Sequence, residues 1–159
     1  MKIVVGVADM AVSKNPNDEI ITYALGSCLG ITVYDPVVQV GGMIHIMLPM
    51  STIDAEKAKN KPYMFVDTGV PILFNECYKA GAVKSRLIVK VAGGARFKTE
   101  GQDYFNIGQR NFTILRKLLW KNGILLKTYD VGGSISRTLS MDIKTGTVLI
   151  KSNGTVREL

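Results

Sequence analysis

Apolar and polar positions alternate with a short period over much of the chain, and the apolar positions are rich in β-branched residues. "KIVVGVA" from Lys2 and "EIITYAL" from Glu19 read as strands, with the turn-rich "SKNPND" between them. "LGITVYDP" from Leu29 continues the strand character until Asp35-Pro36 ends it, and "GGMIHIMLP" from Gly41 is apolar on both faces, which predicts a central strand. After the polar stretch "STIDAEKAKN", read as a loop, the spacing predicts a helix from Pro62 to Lys79, stopped at Gly81. "RLIVKVAGGA" returns to strand. A second helix is predicted from Ile107 to Lys121, with Ile107, Phe112, Leu115 and Leu119 near one face and Gly123 at its end. "ILLKTYDV", "RTLSMDI" and "GTVLIK" are further strands, the last two joined by a turn at Lys144-Thr145-Gly146.

Many short strands with about two long helices predict an α/β or α+β fold with mixed strand directions. At 159 residues, the whole of 1–159 is expected to form one domain. A chain of this size buries about 68–70% of the surface it exposes when unfolded. No apolar run approaches the ~20 residues of a membrane helix, and no secretory signal is seen at the N-terminus. Two cysteines are too few for a disulfide framework, so a soluble protein of a reducing cytoplasm is expected. The net charge of +7 favours acidic partners. Nucleic acid is not among those expected, because the lysines and arginines are spread without aromatic interleaving. Ligand-type residues do not cluster at zinc spacing, so no metal is expected.

The chemistry concentrates in two stretches. In "TYALGSCLGI", Cys28 sits between Gly26 and Gly30, and glycine inside a strand pattern marks a bend or a close approach. A bend at Gly26-Ser27-Cys28 presents the thiol at a corner. The plain alternative is a small apolar filler, which suits Cys77 on its predicted helix better. The second stretch carries the single histidine, His45, sharing a strand face with Met43 and Met47. Its plain alternative is a buried imidazole satisfied by one carbonyl.

Together they suggest a nucleophile and its base. A thiol of ordinary pKa is only about 3% ionised at pH 7, and lowering that pKa by two units takes about 2.7 kcal/mol, which an imidazolium beside the sulfur can supply. Thr22 lies on the incoming strand, where its hydroxyl could accept from the second ring nitrogen. The backbone N–H groups around Gly26, Ser27 and Cys28 are candidate oxyanion donors. Ser27 is the poorer nucleophile because serine needs a stronger base.

These stretches, with "VAGGA" at 91–95, "NIGQRN" at 106–111 and "DVGGSISR" at 130–137, resemble the CheD family of chemoreceptor glutamine deamidases, in family order over nearly the whole chain. The resemblance implies a cysteine hydrolase that converts particular glutamines of chemotaxis receptors to glutamate. Cys28 would be the nucleophile, His45 the histidine and Thr22 its support, with no cofactor. It also implies a fold similar to that of the cytotoxic necrotising factor deamidases, a layered sandwich of mixed sheets and helices, and a regulatory partnership with a CheC-type phosphatase. The alternative is a mainly non-catalytic chemotaxis adaptor that binds receptors or CheC. Tyr129 stands where the family pattern leads one to expect an acidic residue. Phe97, Tyr104 and Phe105, in an otherwise polar segment, are candidates for partner binding or for ordinary packing. The glycine pairs 93–94 and 132–133 read as tight turns or close packing, since neither sits in a phosphate-binding pattern.

Overall fold

The computed structural model describes residues 1–96 and 106–159. Their strands fall into two five-stranded sheets. The first holds β1 (Lys2–Val4), β3 (Glu19–Leu25), β8 (Arg137–Asp142), β9 (Val148–Ser152) and β10 (Thr155–Glu158), in the order β1-β3-β8-β9-β10. The second holds β2 (Met10–Ser13), β4 (Leu29–Asp35), β5 (Val40–Ile46), β6 (Ile88–Gly93) and β7 (Leu126–Val131), in the order β2-β5-β4-β6-β7. The β1–β3 and β6–β7 pairs are parallel and the others antiparallel, so both sheets are mixed. Three α-helices, α1 (Ala55–Asn60), α2 (Val66–Lys79) and α3 (Ile107–Lys121), and three short 3-10 turns complete the described chain. None is long and apolar enough to cross a membrane.

The alternation of side chains along β4 and β5 builds three layers. Leu29, Ile31 and Val33, with Ile44 and Ile46, pack against Val70, Leu73 and Phe74 of α2 and Leu115 and Leu119 of α3. On the opposite face Tyr34 and Met43 join Ile20, Leu25, Leu139, Met141 and Ile150 between the sheets. Burying each such large apolar side chain contributes about 1.5–3 kcal/mol. The architecture is thus α+β, with sheet against sheet and two substantial helices over the second sheet.

Where β4 ends, the fully buried Asp35 accepts from the backbone of Val37 and Val83 and from the Arg86 guanidinium. Burial pushes its carboxyl up, but the Arg86 contact and the two N–H donors outweigh that and hold it below the usual carboxylate range.

The segment read as a strand from Lys2 to Ala8 is a strand only over β1, and a further short strand, β2, follows it in the other sheet. Between them the chain crosses from one sheet to the other, with Ala8 at φ 56°. The stretch read as a loop after Met50 contains α1, capped by Asp54, whose side chain accepts from the Lys57 N–H. The predicted helix from Pro62 begins as a 3-10 turn at Pro62–Met64 and becomes α-helical at Val66. In α3 the buried stripe is Gly108, Asn111, Leu115 and Leu119, with Ile107 and Phe112 only partly covered. Phe112 instead stacks on Tyr129, ring centres 5.0 Å apart.

Candidate functional site

Two chain crossings between the sheets meet near the end of β5. In the first, β3 leaves its ladder with β8 through a register shift between Thr22 and Leu25, with Ala24 at φ 55°. The chain then turns through Gly26-Ser27-Cys28 and enters the second sheet as β4. Cys28 therefore stands at the point of transfer, partly exposed and packed against the cluster between the sheets. In the second, the link from β1 to β2 runs past His45. Its Ala8 N–H donates to the His45 carbonyl at 3.0 Å, and the His45 N–H donates to the Asp9 carbonyl at 3.0 Å.

The β4–β5 register sets Gly30 opposite His45 and Leu29 opposite Ile46. Cys28 keeps this register on the β6 side, where its carbonyl accepts from the Gly94 N–H at 2.9 Å. It thus lies on the inter-sheet face diagonally across from His45, and such diagonal neighbours sit roughly 7–8 Å apart, within reach of an aromatic ring.

His45 and Thr22 are both buried, at 2% and 0% exposure. Thr22 Oγ1 lies 2.7 Å from His45 Nδ1 and donates its proton to the Val5 carbonyl at 2.8 Å. A hydroxyl has one proton to give, and here it goes to a group that can only accept. The contact at Nδ1 must then be N–H donating to the threonine oxygen. The neutral ring is then the Nδ1–H tautomer, with the lone pair on Nε2.

Burial governs the ionisation of both candidate reacting groups. It pushes the Cys28 thiol above its ordinary value, only partly offset by the residue's own N–H beside the sulfur. It pushes the His45 imidazole below 6.5. Both shifts favour the uncharged forms, a neutral thiol and a neutral imidazole.

The close packing under the Cys28 corner needs glycine at two positions. Gly93, at φ 117°, is so near the Cys28 carbonyl that a Cβ there would lie 2.2 Å from its oxygen. A Cβ on Gly108, in the first turn of α3, would lie 2.5 Å from the Gly94 carbonyl oxygen. These glycines let the end of β6 and the start of α3 back directly onto the corner, in keeping with the close-packing reading of Gly93-Gly94. Gly26 and Ser27 form the turn itself: the Gly26 carbonyl accepts from Ala95 N–H at 2.8 Å and the Ser27 carbonyl from Asn111 Nδ2 at 3.2 Å. Arg137, mostly buried, holds the Gly93 carbonyl and the Asp130 carboxylate at 3.0 and 3.2 Å, and Arg157 pairs with the same carboxylate. No cluster of metal-ligating side chains occurs among the described residues. Phe97, Tyr104 and Phe105 lie outside the described residues.

Cys77 is fully buried on α2 and its thiol is pushed up to about 12, by burial first and then by Glu76. One equivalent of iodoacetamide at pH 8 is therefore expected to modify Cys28 and leave Cys77 free, as peptide mass mapping would report. Equal labelling of the two would contradict the difference in access. Thr22→Val keeps the shape but removes the oxygen that fixes the ring. It is expected to lower any His45-dependent rate about 10- to 100-fold, because misplacing a reacting group by an ångström costs that much. An unchanged rate would show that the ring is held some other way.

The Val5 carbonyl and Asn111 were not singled out from sequence. A carbonyl has no residue signature, but an asparagine within the apolar stripe of α3 was a visible signal.

A family model described as CheD chemotactic sensory transduction matches residues 47–152. A probable chemoreceptor glutamine deamidase CheD 1 of Syntrophus aciditrophicus is 49% identical over 99% of this chain and 98% of its own. A probable chemoreceptor glutamine deamidase CheD of Solibacter usitatus is 48% identical over 99% and 93%, and that of Desulforamulus reducens 43% identical over 96% and 92%. Among solved structures, a Neisseria meningitidis protein covers 83% of this chain and 63% of its own, with 11% identity and a TM-score of 0.42.

Proposed function

The chain belongs to the CheD family, and on that footing we propose that it is a protein-glutamine deamidase that acts on the cytoplasmic helices of chemotaxis receptors through Cys28 and His45. The observation that carries this reading is the hydrogen-bond chain from His45 Nδ1 through Thr22 to the Val5 carbonyl, which leaves Nε2 free on the face that Cys28 shares. An adaptor has no use for a buried imidazole held in one tautomer beside a thiol.

In the proposed reaction the Cys28 thiol gives its proton to His45 Nε2 while sulfur bonds to the glutamine side-chain carbon. The carbonyl pair moves onto oxygen, where the N–H groups of Ser27 and Cys28 are the donors at hand. As the oxyanion collapses, the carbon–nitrogen bond breaks and the imidazolium proton goes to the departing nitrogen, releasing ammonia. A water then gives a proton to Nε2 and adds its oxygen to the thioester. When the second oxyanion collapses, sulfur leaves and recovers its proton. The sum is glutamine plus water to glutamate plus ammonia.

The test is mass spectrometry of receptor cytoplasmic fragments after incubation. Gain of about one dalton at discrete glutamines is expected, and fragments left unchanged at every glutamine would refute the reading. A cytoplasmic setting, a CheC-type phosphatase as regulatory partner and an architectural kinship with the deamidating toxins belong to the same proposal.

A further inference from the structure

Helix α3 turns a polar side chain toward the sheet it covers. Asn111 is 0% exposed, on the stripe that also holds Gly108 and Leu115. Its Nδ2 donates to the Ser27 carbonyl at 3.2 Å and to the Met47 carbonyl at 3.1 Å. Its Oδ1 has no hydrogen-bond partner among the described residues. Burying a bare amide oxygen costs stability that a leucine in the same stripe would not lose. What asparagine adds is its pair of donors. Both go to the segments that carry the candidate reacting groups, one residue before Cys28 and two residues after His45.

The three carbonyls around Cys28 are each held from outside the turn. Gly26 is held by the Ala95 N–H, Ser27 by Asn111 and Cys28 by the Gly94 N–H. In a planar trans peptide the N–H points opposite to the carbonyl. Holding the Ser27 carbonyl toward α3 therefore turns the Cys28 N–H the other way, off α3. Of the three holding groups only Asn111 is a side chain. The plane it holds is the one whose N–H belongs to Cys28.

We propose that Asn111 is a positioning residue that fixes the Ser27–Cys28 peptide as an oxyanion donor, its own amide being anchored by the second bond to the Met47 carbonyl. The inference rests on the reading of Cys28 as an acyl-transfer nucleophile. It does not depend on which protein supplies the acyl group.

Two small probes on the intact protein separate the donor from the thiol. p-Nitrophenyl acetate acylates a thiol through an oxyanion, and iodoacetamide alkylates it by displacement without one. In Asn111→Ala and the nearly isosteric Asn111→Asp, acylation of Cys28 is expected to slow by about 100-fold, the usual loss on removing an oxyanion donor. Alkylation and its pH profile are expected to stay within about threefold of wild type, since the thiol and its base are untouched. Acylation at the wild-type rate in a folded variant would overturn the proposal. So would acylation and alkylation falling together, which marks general disruption, or a wild-type Cys28 that alkylates but does not acylate. A wild type that passes both probes yet leaves receptor fragments unchanged removes the receptor as substrate while leaving the role of Asn111 standing.

Discussion

Cys28→Ala is expected to abolish ammonia release from a receptor fragment, by about 10⁴-fold or more, while the far-UV spectrum and melting temperature stay close to wild type. The size follows from the proposed chemistry, in which the residue forms the covalent bond and what remains without it is binding and polarisation alone. The selectivity follows from position. Cys28 is partly exposed at a turn whose carbonyls are all held from outside, and none of those bonds involves its side chain. Exchanging the thiol for a methyl group leaves each in place. A Cys28→Ala protein retaining a tenth of the wild-type rate would remove the covalent mechanism, and Cys28→Ser acting at full rate would count against a sulfur nucleophile.

His45→Ala is expected to lower the same rate about 10³-fold, within the range by which general acid–base groups accelerate proton transfer. The chain has no second histidine to stand in. Because the residue is buried between the sheets, the variant also opens a cavity, so His45→Gln is the companion that keeps most of the volume. The wild-type pH profile carries the sharper test. A general base must be neutral to accept the thiol proton, and burial holds this imidazole below 6.5. Half of it is protonated only at a pH beneath that value, so the rate should persist as pH falls through 6.5 and decline below it. An acid limb centred above 6.5 would mean that the titrating group is not this imidazole.

Strands and helices with strong periodicity were legible in the sequence. The quoted "EIITYAL" coincides with β3 and the second predicted helix with α3. The partition into two sheets was not. Every residue of β4 and β5 is buried, so neither strand shows a polar side from which to tell the helix-facing layer from the sheet-facing one. β10, exposed along its whole length, lacks any hydrophobic pattern, although Asn153-Gly154, both at positive φ, marks the turn that leads into it. For the candidate site, cysteine and histidine stand out by residue type, and threonine by its place on the incoming strand. The tautomer was out of reach, because it depends on the carbonyl of Val5, and every residue has a carbonyl. The direction in which burial shifts each group was equally hidden, since it depends on how much water the fold removes from it.

The chain of hydrogen bonds behind the imidazole is a dead end for protons. A threonine hydroxyl does not ionise at any pH the protein survives, and a peptide carbonyl has no proton to pass on. Whatever Nε2 collects must leave through Nε2, and among the described residues it is a threonine, not a carboxylate, that stands behind the ring. A brief imidazolium with a single exit hands its proton back quickly, and in the proposed reaction the group waiting at that exit is the nitrogen about to depart.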